Sequence, residues 1–135
     1  MNIDYIEYMK DMELGKPTSE DAFNKLEKDL QTALPGEYRQ FMVEHNGAEG
    51  AIGERNYLVI WPIEEIFALN EAYGVSEFTP GLIYFGSDGG GIAYAFDKRV
   101  IPFNIVKFPF DTIHIEDSQY VANSFSEFIK KMHDE

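Results

Sequence analysis

The chain has 135 residues, of which 11 are Lys or Arg and 24 are Asp or Glu, and its formal net charge is −13. It contains no cysteine, which excludes a disulfide framework, a thiolate metal site and a thiol nucleophile. The sequence pI near 4.5 argues against tight binding to nucleic acid or anionic lipid, because both need a basic surface. A solvated acidic surface and attraction to a basic protein partner both remain open.

The composition predicts a single domain over residues 1–135. Acidic residues outnumber basic ones in every part of the chain, and there is no repeat, linker or low-complexity run. No segment approaches the ~20 apolar residues of a membrane-spanning helix. Residues 1–12 carry three acids, whereas a signal peptide starts with basic residues. We therefore expect a cytoplasmic protein.

Helical spacing dominates the first third of the chain. Ile3, Ile6 and Met9 predict one face of a short helix. Thr18, before three polar residues, predicts the N-cap of a second helix. Its apolar stripe consists of Phe23, Leu26, Leu30 and Leu34. A third helix is predicted over residues 37–45, with Tyr38, Phe41 and Met42 inward, ending at Asn46-Gly47.

The rest of the chain alternates between strand and helix patterns. Strands are predicted at 57–61, 82–85, 92–96, 100–106 and 112–115, and Pro62 opens an inserted helix that ends at Gly74. A last helix, capped near Asp117 or Ser118, carries the stripe Tyr120, Val121, Phe125, Phe128, Ile129 and Met132. Because short turns require antiparallel pairing, the predicted class is α+β. It is an antiparallel meander packed with N-terminal, inserted and C-terminal helices.

The glycine-rich segment at residues 86–91 is the first candidate site. A phosphate-binding loop needs a helix after it, but residues 92–96 read as a strand and no Lys follows the glycines. The segment therefore favours a tight hairpin turn. Asp88 and Asp97 suit turn positions on either side of this strand. The bare backbone of the turn would also let a partner approach closely.

No residue pattern indicates catalysis. His45, His114 and His133 lack metal-ligand spacing, no carboxylate pair stands out, and there is no nucleophile elbow. We expect no catalytic residue, no metal, no cofactor and no enzymatic activity. Trp61 has two open interpretations, a core residue or an interface anchor.

Several segments, taken in order, resemble the SUKH superfamily, which includes the yeast cell-wall-synthesis regulator and many bacterial proteins. They are residues 34–41 (LPGEYRQF), Asn46-Gly47, residues 63–66 (IEEI), residues 82–91 (LIYFGSDGGG) leading to 94–97 (YAFD), and residues 125–129 (FSEFI). The resemblance spans residues 19–131. Ala48 stands where the family usually has a second glycine.

The resemblance implies an α+β fold, no catalytic residues and no cofactor. It also implies an immunity protein that binds and neutralises a cognate toxin, often a nuclease, stoichiometrically. The alternative is a regulatory protein-interaction module of the cell-wall-synthesis-regulator type. The expected partner is a basic toxin domain, with neither nucleic acid nor membrane bound. We predict partner contacts at Trp61, Glu64, Glu65, Asp88, Gly89, Gly90 and Asp97.

Overall fold

The computed structural model describes residues 4–135. Its helices are α1 (Glu20–Leu30), α2 (Gly36–Glu44), α3 (Ile63–Ala72), α4 (Val75–Phe78) and α5 (Phe125–Asp134). Its strands are β1 (Glu13–Leu14), β2 (Ala48–Ile52), β3 (Asn56–Ile60), β4 (Leu82–Ser87), β5 (Ile92–Asp97), β6 (Asn104–Pro109) and β7 (Gln119–Ala122). Two 3-10 helices span Asp4–Met9 and Ile115–Asp117. Within these residues no helix combines the length and apolarity needed to cross a membrane.

The seven strands of the described chain form one antiparallel sheet in sequence order, β1 to β7. Helices α3 and α4 are inserted between β3 and β4, where the prediction placed one helix. The α+β class and the meander are therefore confirmed.

The seam between β3 and β4 is narrow, because the strands pair only through Val59 with Ser87 and Ile60 with Gly86. A Cβ on Gly86 would lie 2.2 Å from the Val59 carbonyl oxygen, so only glycine permits this approach. Next to this seam, the Asn70 side chain of α3 forms hydrogen bonds with the Tyr84 backbone of β4. It donates to the Tyr84 carbonyl at 2.9 Å and accepts from the Tyr84 N–H at 2.9 Å.

Aromatic side chains fill the core between the sheet and helices α2 and α5. The Tyr38 ring packs edge-on against Phe85, Phe96 and Phe125, with ring centroids 4.9–5.7 Å apart. Phe128 contacts the same cluster through Phe85, at 5.5 Å. Large rings in offset and edge-to-face contact contribute both buried area and a fixed geometry. The predicted inward positions of Tyr38, Phe41 and Met42 are confirmed.

The prediction was wrong at several points in the first half of the chain. Ser19, not Thr18, is the N-cap of α1, because its Oγ accepts a hydrogen bond from the Ala22 N–H at 3.0 Å. Helix α1 ends at Leu30, so Leu34 is buried from a loop. Strands β1 and β2 and helix α4 were not predicted. Ile3 lies outside the described residues.

Corrections in the second half concern strand positions. The strand predicted at 100–106 is β6, which begins at Asn104 because Pro102 has no N–H for the ladder. The strand predicted at 112–115 is absent there, and β7 follows at Gln119–Ala122. Tyr120 and Val121 belong to that strand rather than to the last helix. The N-cap of α5 is Ser124, whose Oγ accepts from the Glu127 N–H at 3.2 Å.

Candidate functional site

A groove of about 720 Å³ runs beside the first three strands and the start of α3. Four carboxylates line it: Asp11, Glu13, Glu49 and Glu65. Tyr57 and Trp61 are its aromatic side chains, and none of its described lining residues is Lys or Arg. We call this surface the acidic groove. Its composition favours contact with a positively charged partner.

Glycine backbone forms part of the groove's lining. Gly47 has φ +94°, and a Cβ there would lie 2.9 Å from the Ile60 carbonyl oxygen. The Gly15 N–H donates to the Gly47 carbonyl at 2.8 Å, and a Cβ on Gly15 would lie 2.2 Å from the Asn46 carbonyl oxygen. Side chains are therefore sterically excluded from these two positions.

Asn46 fixes the start of α3, one wall of the groove. The N-cap residue of this helix is Pro62, which offers no side-chain cap. Asn46 Oδ1 instead accepts from the Ile63 N–H at 2.7 Å, and Asn46 Nδ2 donates to Glu64 at 2.8 Å. Asn46 thereby caps the helix from another element and pairs one backbone N–H of the first turn that has no partner within the helix. The helix dipole also favours the negative charges of Glu64 and Glu65 at this end.

Tyr57 connects the acidic groove to the glycine-rich turn. Its hydroxyl donates to Glu49 at 2.7 Å, and this hydrogen bond raises the pKa of the Tyr57 phenol. A Cβ on Gly89 would lie 2.8 Å from Cδ2 of the Tyr57 ring, so the turn rests against this side chain. The structure thus brings Gly89 next to the groove.

The turn itself is the predicted hairpin. Asp88 Oδ1 accepts hydrogen bonds from the Gly90 N–H at 2.8 Å and the Ile92 N–H at 3.2 Å. Gly89 has φ +81°, which suits glycine. Burial, with the nearby charge of Asp88, raises the pKa of Tyr94 to about 12. Asp88 therefore shapes the turn through hydrogen bonds from the turn's backbone N–H groups.

Asp97 is not part of this site. We predicted it as an exposed contact, but it is only 6% exposed. Its carboxylate accepts from the Arg99 guanidinium at 2.9 and 3.0 Å and from the Arg99 N–H at 3.0 Å. It also lies at the far end of β5 from Asp88, and six residues of strand span about 17–20 Å. The expected exposure was wrong, because the turn engages the side chain internally.

Trp61 belongs to the core and also borders the acidic groove. It is 8% exposed, and its ring stacks on Tyr73 with centroids 6.4 Å apart. The backbone N–H of Trp61 donates to the Phe85 carbonyl at 3.0 Å, which extends the seam between β3 and β4. The core interpretation is confirmed, and contact of Trp61 with a partner stays a prediction.

The sequence interpretation missed three of the four groove carboxylates. Glu49 lies on β2, whose residues Ala-Glu-Gly-Ala-Ile contain one β-branched side chain and give little strand signal. Asp11 and Glu13 precede and begin β1, a strand of two residues. The sequence shows that Asp11 and Glu13 are close to each other along the chain. It does not show that they lie near Glu49, because that depends on the pairing of β1 with β2.

The three histidines have different neighbours in the described chain. His45 contacts the Phe41 ring, and His133 contacts the Tyr8 ring with centroids 4.8 Å apart. His114 is exposed beside Glu116. Among residues 4–135 no three His, Asp or Glu side chains are grouped so that they could hold a metal ion.

Residues 17–131 match the SMI1/KNR4 family (SUKH-1), which covers more than four fifths of the chain. The chain belongs to this family. The match confirms the resemblance described for residues 19–131. A search among curated proteins returned no match to this SUKH-1 chain.

The SUKH-like segment at residues 34–41 holds helices together. The Arg39 guanidinium donates to Glu27 at 2.9 Å and to Glu20 at 3.0 Å, and it lies 4.9 Å over the Phe23 ring. Glu37 Oε1 accepts from the N–H and Oγ of Ser126 at 3.2 and 3.1 Å, at the start of α5. These residues stabilise the frame. Asp11, Glu13 and Glu49 of the acidic groove lie outside every SUKH-like segment.

Proposed function

We propose that this SUKH-1 protein is a cytoplasmic immunity protein that binds a cognate toxin domain and blocks it stoichiometrically, without catalysis. The toxin is of the basic, nuclease type. Family membership supports a role in protein interaction, and the resemblance implies immunity proteins among bacterial members. The observation that carries the proposal is the acidic groove, with four carboxylates and no Lys or Arg among its described lining residues.

Charge complementarity explains why such a groove suits a nuclease. An enzyme that cleaves nucleic acid needs Lys and Arg to hold phosphates. An acidic surface can occupy those side chains and keep the substrate out. The net charge of −13 adds long-range attraction, which speeds encounter at low salt and is screened as salt rises.

The groove is also held in shape before a partner arrives. Glu49 is tied to Tyr57, and the start of α3, which carries Glu65, is tied to Asn46. Side chains and helices fixed in advance lose less conformational freedom on binding. We therefore expect Glu49 and Glu65, on separate elements, to contribute most to affinity.

Rescue of growth tests the proposal. The chain is co-expressed with each toxin-like reading frame encoded beside it, as wild type, as Glu49→Lys/Glu65→Lys, and as Glu71→Lys/Glu77→Lys. Both double variants change the net charge equally, but Glu71 and Glu77 do not line the acidic groove. We expect rescue by the wild type and by the Glu71/Glu77 variant, and loss of rescue by the Glu49/Glu65 variant.

Two results would count against this function. Failure of the wild type to rescue cells from any neighbouring toxin would remove the immunity role. Pull-down of a housekeeping complex, with no toxin encoded nearby, would favour a regulatory module of the cell-wall-synthesis-regulator type.

A further inference from the structure

A second groove, of about 820 Å³, lies at the other half of the sheet. Phe96, Ile105 and Phe125 line it as buried residues, each 1% exposed. Ile101 and Phe103, from the loop between β5 and β6, line it as well, together with Leu34 from the loop before α2. We call it the apolar groove.

The loop beside this groove exposes apolar surface to water. Ile101 is 82% exposed, and the neighbouring Val100 and Pro102 are exposed as well. A single exposed aliphatic residue is ordinary, but several in sequence along an apolar groove mark an interaction surface. Burial of these side chains by a partner would remove apolar surface from water and thereby favour binding.

The charged residues at the apolar groove differ from those at the acidic groove. Its charged lining residues are Glu37 and Lys98. The Glu37 carboxylate is engaged by Ser126 at the start of α5. The Lys98 ammonium forms no hydrogen bond or ion pair with the part of the chain that the structure describes. The groove therefore offers one unpaired cation next to apolar side chains.

The start of α2 adds to this positive character. Gly36 lines the groove, and Pro35, the N-cap residue, forms no side-chain cap. A Cβ on Gly36 would meet no atom within 4 Å, so the first turn of the helix is open to the groove. The uncapped amides and the positive end of the helix dipole reinforce the attraction of Lys98 for an anion.

We propose that the apolar groove docks an extended segment of a partner protein that carries an apolar side chain beside one carboxylate. The apolar side chain packs against Ile101 and Phe103, and the carboxylate pairs with Lys98. The net charge of −13 disfavours a segment with several acids and an anionic membrane alike, so a single Asp or Glu fits best. This surface and its partner are distinct from the acidic groove and its basic toxin.

Selection from a display library of random 12-residue peptides tests the proposal. The library is first depleted on the Lys98→Glu/Ile101→Asp variant and then selected on the wild-type chain. Both substituted side chains are at least partly exposed, so the variant should fold, and its circular dichroism and unfolding midpoint verify this. We expect the recovered peptides to share an aromatic or branched apolar residue within two positions of a single Asp or Glu.

Fluorescence anisotropy of the recovered peptides then separates the possible outcomes. Lys98→Glu alone should weaken binding at least 10-fold, Ile101→Ser should weaken it similarly, and the matched control Lys107→Glu should change it less than 3-fold. Recovery of no peptide after depletion, recovery of peptides without an acidic residue, or an equal loss with Lys107→Glu would overturn the proposal. Peptide binding that survives Glu49→Lys/Glu65→Lys shows that this surface stands apart from the toxin site.

Discussion

The acidic groove and the apolar groove have similar volumes, about 720 and 820 Å³, and opposite chemistry. The first is lined by carboxylates from the residues before β1, from β1 and β2, and from the start of α3. The second is lined mainly by apolar side chains at β5 and β6, with an unpaired ammonium beside them. Size therefore does not distinguish the two surfaces. The difference shows that charges spread evenly along the sequence are unevenly distributed on the folded surface. Carboxylates gather at one groove, and the other keeps a single free ammonium among the residues that the structure describes.

The two grooves share one structural device. Each lies at the start of a helix in which a first-turn N–H donates to a side chain from another element. The acceptor is Asn46 for α3 at the acidic groove and Glu37 for α5 at the apolar groove. Both side chains belong to SUKH-like segments. The comparison predicts that Asn46 and Glu37 maintain the frame. The side chains that line each groove, among them Glu65 of a SUKH-like segment, set what that groove binds.

The largest effect is expected from removing the Asn70 side chain, which ties α3 to β4 beside the seam between β3 and β4. Asn70→Leu leaves the Tyr84 N–H and carbonyl without their partner, and buried unpaired groups of this kind cost about 2–5 kcal/mol together. Urea unfolding at pH 7 measures the loss. A loss below about 0.5 kcal/mol would show that the Asn70 side chain does not stabilise the contact between α3 and β4.

A smaller, local effect is expected at the acidic groove. Asn46→Ala removes the cap of α3 and should cost about 1–2 kcal/mol. Hydrogen exchange should accelerate at residues 63–66 and stay unchanged at residues 125–128. Faster exchange in both segments would contradict the view that Asn46 and Glu37 stabilise the starts of α3 and α5 independently.

The matching change at the apolar groove is Glu37→Ala. Loss of the hydrogen bonds from Ser126 should cost about 1–2 kcal/mol, since the acceptor is charged. Here exchange should accelerate at residues 125–128 and not at residues 63–66. The reverse pattern would disprove the assignment of Glu37 to α5.

The smallest effect depends on pH. Burial alone would raise the pKa of Asp97, but hydrogen bonds and charge from Arg99 outweigh it and hold the pKa below its ordinary value. A lowered carboxyl pKa stabilises the fold above the unfolded value of about 3.9, and this contribution is lost as pH falls through the folded pKa. Because Arg99 is partly exposed to solvent, Asp97→Asn should cost only about 0.5–1 kcal/mol at pH 7, and less at pH 3. Urea unfolding at both pH values checks this, and a difference independent of pH would refute it.

Periodicity predicted the elements whose apolar faces are regular. The stripe of α2 and the strands around the glycine-rich turn follow directly from residue spacing. Val121, Phe125 and Phe128 also fit a helical spacing, yet Val121 lies in β7, because the Ser124 cap starts α5 later. A stripe alone does not show where a helix begins.

The site was less predictable, because side-chain bonds between distant segments create it. Glu64 and Glu65 were found through their place at a helix start. The caps by Asn46 and Glu37 and the Asn70 bridge join residues 14 to 89 positions apart, so no local pattern indicates them. Asp97 failed as a contact for a different reason. Its partner Arg99 is only two residues away, but their pairing is recognised only from the geometry of the turn.

The affinity of the cognate toxin domain for two charge-matched variants tests the central claim most directly. Surface plasmon resonance at low and high salt compares Glu49→Lys/Glu65→Lys with Glu71→Lys/Glu77→Lys. We expect the groove variant to lose at least 100-fold in affinity, and the control variant to lose less than 3-fold, with a smaller difference at high salt. Equal losses in the two variants would show that total charge, rather than the acidic groove, recognises the toxin.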